Sequence, residues 1–348
     1  MKIFNKKKDK LKQRKLFVVA LLAIIAIVGA YVFLPKSGKV DLVPQKDLFI
    51  SVPPLDASTL AIVGIEKNIF SKSGLHVVIS DLSFGEESFN NLVSGQSHII
   101  VVSDASIADA MLKHIDFVVL GTLHKAKQNV QLIGLKSRGI TTLHALEGKK
   151  IGVIKGDVGE FFLSELLNHL SLSMADVDLQ YGTLVELQQK LKSGELDAIA
   201  LRRRYVYELS TEFGDDAFVT SGNDNYSATY SLVTTPEWLA ENQETAQTFL
   251  NDLVSTSDYV QSHKSDTISL VSKQLGVEKQ FLDSIWDSSS YELSADFTVN
   301  GLVDAEIRYF SSGNTVKFDP TTTSSYFDYT LLKEVLKSVA KPSQLQQF

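Results

Sequence analysis

Two thirteen-residue stretches, LVSGQSHIIVVSD at 92–104 and LKSGELDAIALRR at 191–203, align without gaps at an offset of 99. They share a Leu, a Ser-Gly pair and an Ile inside an apolar run. Each reads as the end of a helix, a Gly at its C-cap and a strand apolar enough to be buried on both faces. A chain that repeats this unit must build two sheets with covered faces. Four identities are little by themselves, but the surrounding order agrees with them. Before and after the first copy, the strand-like LFISV, LHVVI, HIIVV, FVVLG and VQLIGL alternate with the helical STLAIVGIEKNIF, EESFNNLVSG and SIADAMLKH. Around the second copy, KKIGVI, EFFLSELLNHLS, LVELQQKLKSG and LDAIAL do the same. Strands interleaved with helices at this spacing predict mostly parallel α/β sheets. From Pro236 onward the pattern becomes mostly helical, and the 348 residues suffice for two ordinary cores.

The N-terminus has a different character. Residues 1–15 hold eight Lys and Arg against one Asp, and residues 16–34 hold no charge. Nineteen helical residues at ~1.5 Å each come close to the ~30 Å of a bilayer core. The expectation is a basic cytoplasmic segment over 1–15, a transmembrane anchor or signal peptide over 16–34 and a tether over 35–46, with the rest outside the cytoplasm. The run continues through Tyr31, Val32, Phe33 and Leu34, past a usual signal core, which favours an uncleaved anchor. Outside the first fifteen residues, 26 Lys and Arg face 40 Asp and Glu, a net charge of −14. So acidic a body argues against nucleic acid as a partner. The absence of cysteine removes disulfides, thiolate metal sites and thiol nucleophiles.

Ligands of open parallel sheets bind beyond the carboxyl ends of the strands. The candidate ligand-binding residues are therefore Leu55, Asp56 and Ser58 after LFISV, Ser103 and Asp104 after HIIVV, and Thr122 and His124 after FVVLG. In the second half they are Lys155 and Asp157 after KKIGVI, and Arg202, Arg203 and Tyr205 after LDAIAL. The turn at Lys155–Asp157 opens a helix and presents N–H groups suited to an anion, but Asp157 and Glu160 can cap that helix themselves. Were 202–204 extended, Arg202 and Arg204 would share a side opposite Arg203. The offset of 99 sets Ser103 and Asp104 where the other half has Arg202 and Arg203. Either an acid meets a guanidinium across a cleft, or a ligand with both an amine and an acid group lies between them. The seven histidines show no metal-ligand spacing, and no motif assembles a nucleophile with a base. No metal, cofactor or catalytic residue is expected.

STLAIVGIEKNIFSKSGLHVVI, LVSGQSHIIVVSD, LEGKKIGVIKGDVGEFFL, LKSGELDAIAL and TPEWLAENQETAQTFLNDLVSTSDYV, in this order, resemble the substrate-binding proteins of ABC importers. The branch is the one that serves nitrate, alkanesulfonates, taurine and thiamine-precursor pyrimidines. The resemblance implies a two-lobed type 2 periplasmic-binding-protein fold behind the N-terminal helix, each lobe a mostly parallel sheet flanked by helices. Lobe 1 would take 47–134 with 233–348 and lobe 2 would take 135–232, the crossings falling near 132–137 and 230–235. It also implies a small-molecule ligand, anionic or zwitterionic by preference, an ABC permease as partner, and lobes that close around the ligand. Several positions depart from the pattern. Asp157 and Val158 stand where Ser or Thr often holds an anion, three arginines follow the second-lobe strand, and His98 replaces a frequent acid. Two other functions fit the same fold: an enzyme of cofactor-precursor synthesis, and a membrane-anchored sensing module.

Overall fold

The computed structural model describes residues 45–220, 227–311 and 320–339. The 16–34 run lies outside them; among the described residues no helix is long and apolar enough to cross a membrane.

Apolar alternation starts the first sheet at β1 (Lys46–Val52), which is followed by α1 (Thr59–Glu66) and the one-turn α2 (Ile69–Lys72). Then come β2 (Leu75–Leu82), α3 (Gly85–Val93), β3 (Ile99–Ser103), α4 (Asp104–Leu112) and β4 (Val118–Lys127). The chain next enters a second sheet through β5 (Val130–Leu135), continuing as β6 (Lys150–Val153), α5 (Val158–His169), β7 (Asp178–Tyr181) and α6 (Leu184–Ser193). It leaves that sheet after β8 (Ala198–Arg202), α7 (Arg203–Phe213) and β9 (Ala217–Thr220). β10 (Ser227–Thr234) returns to the first sheet, and the helical tail follows as α8 (Pro236–Glu241), α9 (Gln243–Ser262), α10 (Lys264–Leu275) and α11 (Lys279–Ile285). The two-residue β11 (Ser289–Ser290), α12 (Thr298–Ser311) and α13 (Thr330–Ser338) complete it.

The first sheet runs β11-β4-β10-β3-β1-β2 and the second β7-β6-β8-β5-β9. The two orders are equivalent: in each lobe the strand arriving from the other lobe, β10 or β5, is inserted antiparallel among parallel neighbours. The offset of 99 survives at residue level, because β3 and β8, and the starts of α4 and α7, are 99 residues apart. Gly194 ends α6 at φ +82°, the left-handed cap the repeat predicts. The crossings lie elsewhere than expected. Residues 130–135 already pair with β8 and β9, and 227–234 with β3 and β4, so the connections fall at 128–129 and between Thr220 and Ser227. An apolar run reads alike in either sheet, so only its ladder partners reveal which lobe owns it.

The tail closes on the first lobe, where Phe249 of α9 meets Phe70 of α2 at a ring distance of 5.2 Å. It also reaches the second lobe: Tyr309 and Phe310 of α12 pack on Phe161 of α5 at 5.6 and 6.5 Å. Ala105 of α4 joins the second lobe's core with Val158 and Phe162. The helix starts that follow β3 and β6 therefore lie against each other.

Candidate functional site

Strands that end at one edge of a sheet deliver the helices after them to the same place. Here four helix starts, at Asp56, Asp104, Val158 and Arg203, line the seam between the lobes. Three carry acids in or before the first turn, where the helix N-terminus favours negative charge. The fourth carries Arg202 and Arg203, the wrong sign for its dipole. Those arginines need carboxylates from elsewhere.

Arg203 finds one across the seam. Because α7 begins at Arg203, the side chains of 203 and 204 do not alternate as on a strand, and both reach the first lobe. Arg203 Nη2 donates to Asp56 Oδ2 at 2.7 Å and to Ser289 Oγ at 2.7 Å, while Nη1 donates to Ser288 Oγ at 3.1 Å and to the Lys127 carbonyl at 3.2 Å. Tyr291 adds a hydroxyl donor to Asp56 Oδ2 at 3.0 Å. The ion pair is dry: Arg203 is 3% and Asp56 5% exposed. Burial pushes the Asp56 carboxyl up, but the Arg203 guanidinium above all, with the Tyr291 hydroxyl, outweighs it and holds it below the usual range. Arg204 Nη1 donates to the Pro54 carbonyl at 2.7 Å and Nε to Glu208 at 3.3 Å.

His124 lies beside this pair, its Nε2 3.4 Å from Asp56 Oδ2. Burial, and then the Arg203 charge, lower its pKa to about 4, so the ring is neutral at neutral pH. Nδ1 then donates to the Ser290 carbonyl at 3.0 Å, which leaves Nε2 as a bare lone pair facing the carboxylate. His124 thus packs against Asp56 without a hydrogen bond to it.

Arg202 meets a carboxylate of its own lobe. Its Nη1 donates to Asp157 Oδ2 at 2.5 Å, and its guanidinium lies 5.0 Å from the Phe84 ring of the first lobe. Asp157 Oδ1 accepts from Val158 N at 2.6 Å, and Glu160 accepts from Gly156 N at 2.7 Å and from the Tyr181 hydroxyl at 2.8 Å. The helix start is therefore self-capped, and its N–H groups at Gly156 and Val158 are taken. Gly159 lets this helix sit low on β8: a Cβ there would lie 2.6 Å from the Ala200 carbonyl oxygen.

The pairing of Arg202 with Asp104 across the cleft, one of the two sequence-based alternatives, does not form. Asp104 is fully buried and accepts from Ala105 N at 2.9 Å, from Thr229 N at 2.7 Å and from Thr229 Oγ1 at 3.2 Å. With no cation bonded to it, burial raises its pKa to about 6. The interlobe bridge uses Arg203 and Asp56 instead. Of the other candidates, Ser103 caps α4 and Ser58 bonds the Pro53 carbonyl. Leu55 is core, and Thr122 is enclosed in the first sheet beside Ser231 at 3.3 Å. Lys155 is exposed, 5.7 Å above the Tyr181 ring, and Tyr205 is half-buried under Arg204. A groove of about 300 Å³ follows α7 past Arg204, Tyr207 and Glu208 to Phe281 of α11. Phe84, Asn129, Tyr230, Ser288, Ser289 and Tyr291 also face the seam and carry no local motif; Asn129 alone has a sequence cue, lying between two strand-like runs. No group of metal-ligating side chains occurs among the described residues.

The family described as NMT1/THI5 like matches this chain over residues 57–266. Among solved structures, the alkanesulfonate-binding protein SsuA from Xanthomonas axonopodis pv. citri bound to MOPS is 13% identical, with a TM-score of 0.67 over 81% of this chain and 98% of that one. The periplasmic sulfonate-binding protein SsuA from Methylobacillus flagellatus KT is 14% identical, with a TM-score of 0.70 over 85% and 96%. The desulfurization enzyme DSZB is similar at 14% identity, with a TM-score of 0.62 over 84% and 99%. At these identities the likeness is one of fold. No curated protein matches the chain.

Proposed function

We propose that this chain, which belongs to the NMT1/THI5-like family, is an extracytoplasmic solute-binding protein that holds a small polar organic ligand between two lobes and delivers it to an ABC importer. The observation that carries this reading is the seam: two lobes of equivalent strand order, joined by two connections, meet through side chains that pair only when the lobes are together. A ligand favours the closed form only through contacts made there, and the four helix starts are where such contacts form. The binding proteins among the fold relatives support the same assignment. An anionic or zwitterionic ligand has to compete with Asp157 for Arg202, since the neighbouring N–H donors are already in use.

The basic segment 1–15 and the uncharged run 16–34 support a signal anchor that leaves the two lobes outside the cytoplasm, with a soluble form after cleavage as the alternative. The test of function is a thermal-shift screen of the full-length chain against sulfonates, amino acids, pyrimidines and polyamines. A ligand at a hundredfold excess over its Kd stabilises by ~2.7 kcal/mol, a readily measured shift. Arg202→Ala should then weaken the hit more than Lys264→Ala on α10; equal affinities would refute the cleft assignment. An enzyme on this fold is the second reading, because DSZB shares it. Recovery of the bound solute unaltered, by mass spectrometry, separates the two.

A further inference from the structure

We infer that the groove between α7 and α11 is an effector site, separate from the cleft, for a small protonated amine with an apolar body, and that its occupant holds the two lobes together. The site itself goes beyond the solute-binding reading; its effect on the lobes rests on that reading.

The two walls of the groove belong to different lobes. α7 is rooted in the second lobe, where Val206 and Leu209 share a core cluster with Ile133 and Leu201. α11 is rooted in the first, through Phe281, Leu282 and Ile285. Arg204, Tyr207 and Glu208 on one side face Val277, Glu278 and Phe281 on the other across about 300 Å³. That volume is at the small end of ligand sites. The walls touch where the Tyr207 ring meets that of Phe281 at 5.1 Å. Rotation of one lobe against the other moves α7 past α11, so a molecule in contact with both walls favours the arrangement that keeps both within reach.

The lining selects the occupant. Tyr207, Val277 and Phe281 supply an apolar, largely aromatic surface. Arg204 is already engaged, its Nε with Glu208 at 3.3 Å and its Nη1 with the Pro54 carbonyl at 2.7 Å. Glu278 is exposed; among the described residues it accepts from the Tyr207 hydroxyl at 3.3 Å and pairs with no cation. Beside it α10 ends at Gly276, the C-terminal pole of a twelve-residue helix, where positive charge is favoured. A Cβ built on Gly276 would meet nothing within 4 Å, so the groove is open above that backbone. One arginine against two glutamates leaves the groove one positive charge short of neutral. An ammonium between Glu278 and the end of α10 supplies that charge, with its apolar body on the Tyr207 and Phe281 rings. A carboxylate there would meet like charge instead.

The test uses the full-length chain in detergent micelles, with benzylamine as probe and benzyl alcohol and benzoate as its uncharged and anionic comparators, followed by saturation-transfer NMR. The amine should bind more tightly than either comparator, and its advantage should shrink as salt is raised. Glu278→Gln, which keeps an acceptor for the Tyr207 hydroxyl, should weaken the amine about threefold and leave the alcohol unchanged. Thr211→Trp, at an exposed position on the groove wall, should block all three compounds while circular dichroism stays that of the wild type. The chain has no cysteine, so spin labels go on Asn90→Cys of α3 and Gln189→Cys of α6, exposed positions related by the same offset of 99. Pulsed electron resonance should show the distance between them narrowing to one population when benzylamine is added. No binding, equal affinity for amine and alcohol, amine affinity unmoved by either variant, or binding that leaves the label distances unchanged would each overturn the effector site. A solute from the broader screen whose affinity is indifferent to saturating benzylamine would overturn the effector role and keep the binding-protein reading. A screen that yields no solute, with the label distances still responding to the amine, would remove that reading and keep the site.

Discussion

Replacing Arg203 by Met keeps most of the volume and apolar stem and removes the charge that crosses the seam. It leaves the Asp56 carboxylate, 5% exposed, with the Tyr291 hydroxyl as its remaining donor and the neutral His124 lone pair facing it. Breaking one side of a buried pair costs about 3–5 kcal/mol, because the other charge stays buried and unpaired. At about 2 °C per kcal/mol for a chain of this size, Tm should fall by about 6–10 °C at pH 7.5. The pH dependence makes the test sharper. In the wild type the Asp56 pKa is lowered, so its contribution is present at neutral pH and fades as pH falls through the folded-state value. In Arg203→Met, burial is no longer opposed by the guanidinium and the pKa is raised; the carboxyl then costs most at neutral pH and least once protonated. The gap between variant and wild type, followed by thermal melts from pH 4 to 8, should therefore shrink toward acid. The double variant Arg203→Met with Asp56→Leu should recover most of the loss, as buried pairs replaced on both sides often do. A gap that is the same at pH 4.5 and 7.5, or a double variant no better than the single, would refute the bridge as the source of interlobe stability.

Asp157→Ala removes the cap of α5, about 1 kcal/mol, and also leaves the largely buried Arg202 guanidinium without its carboxylate, so Tm should drop by more than the cap alone accounts for while methanesulfonate affinity by calorimetry rises. His124→Gln should flatten the loss of stability on going from pH 6.5 to about 4, because the wild-type ring resists a proton that the unfolded chain accepts. Asp104→Asn acts with the opposite sign: the wild-type carboxyl, raised to about 6, contributes stability below pH 4 that is lost as pH rises through 6, and the amide variant should lack that slope in thermal melts. Gly159→Ala forces a Cβ onto the Ala200 carbonyl and should cost about 1–3 kcal/mol in denaturant unfolding. Intact mass of the membrane fraction should match the full 348 residues; loss of about thirty residues would show signal-peptide cleavage.

The sequence by itself determined the elements and their repetition. Buried-strand runs, a Ser-Gly cap and an offset of 99 place β3 with β8 and α4 with α7, because backbone hydrogen bonding and burial act over a few residues and leave a local imprint. The strand ends likewise marked Asp56, Asp157, Arg202 and Arg203 as seam residues. Which acid each arginine meets was decided by the tertiary structure alone. Arg203 and Asp56 are 147 positions apart, and Tyr291 arrives from the helical tail, so no spacing rule connects them. The helix beginning at Arg203 also sets side-chain directions that an extended segment would not have. Local sequence specifies how a segment bonds to itself; a buried charge takes its partner from whatever the fold brings within about 3 Å.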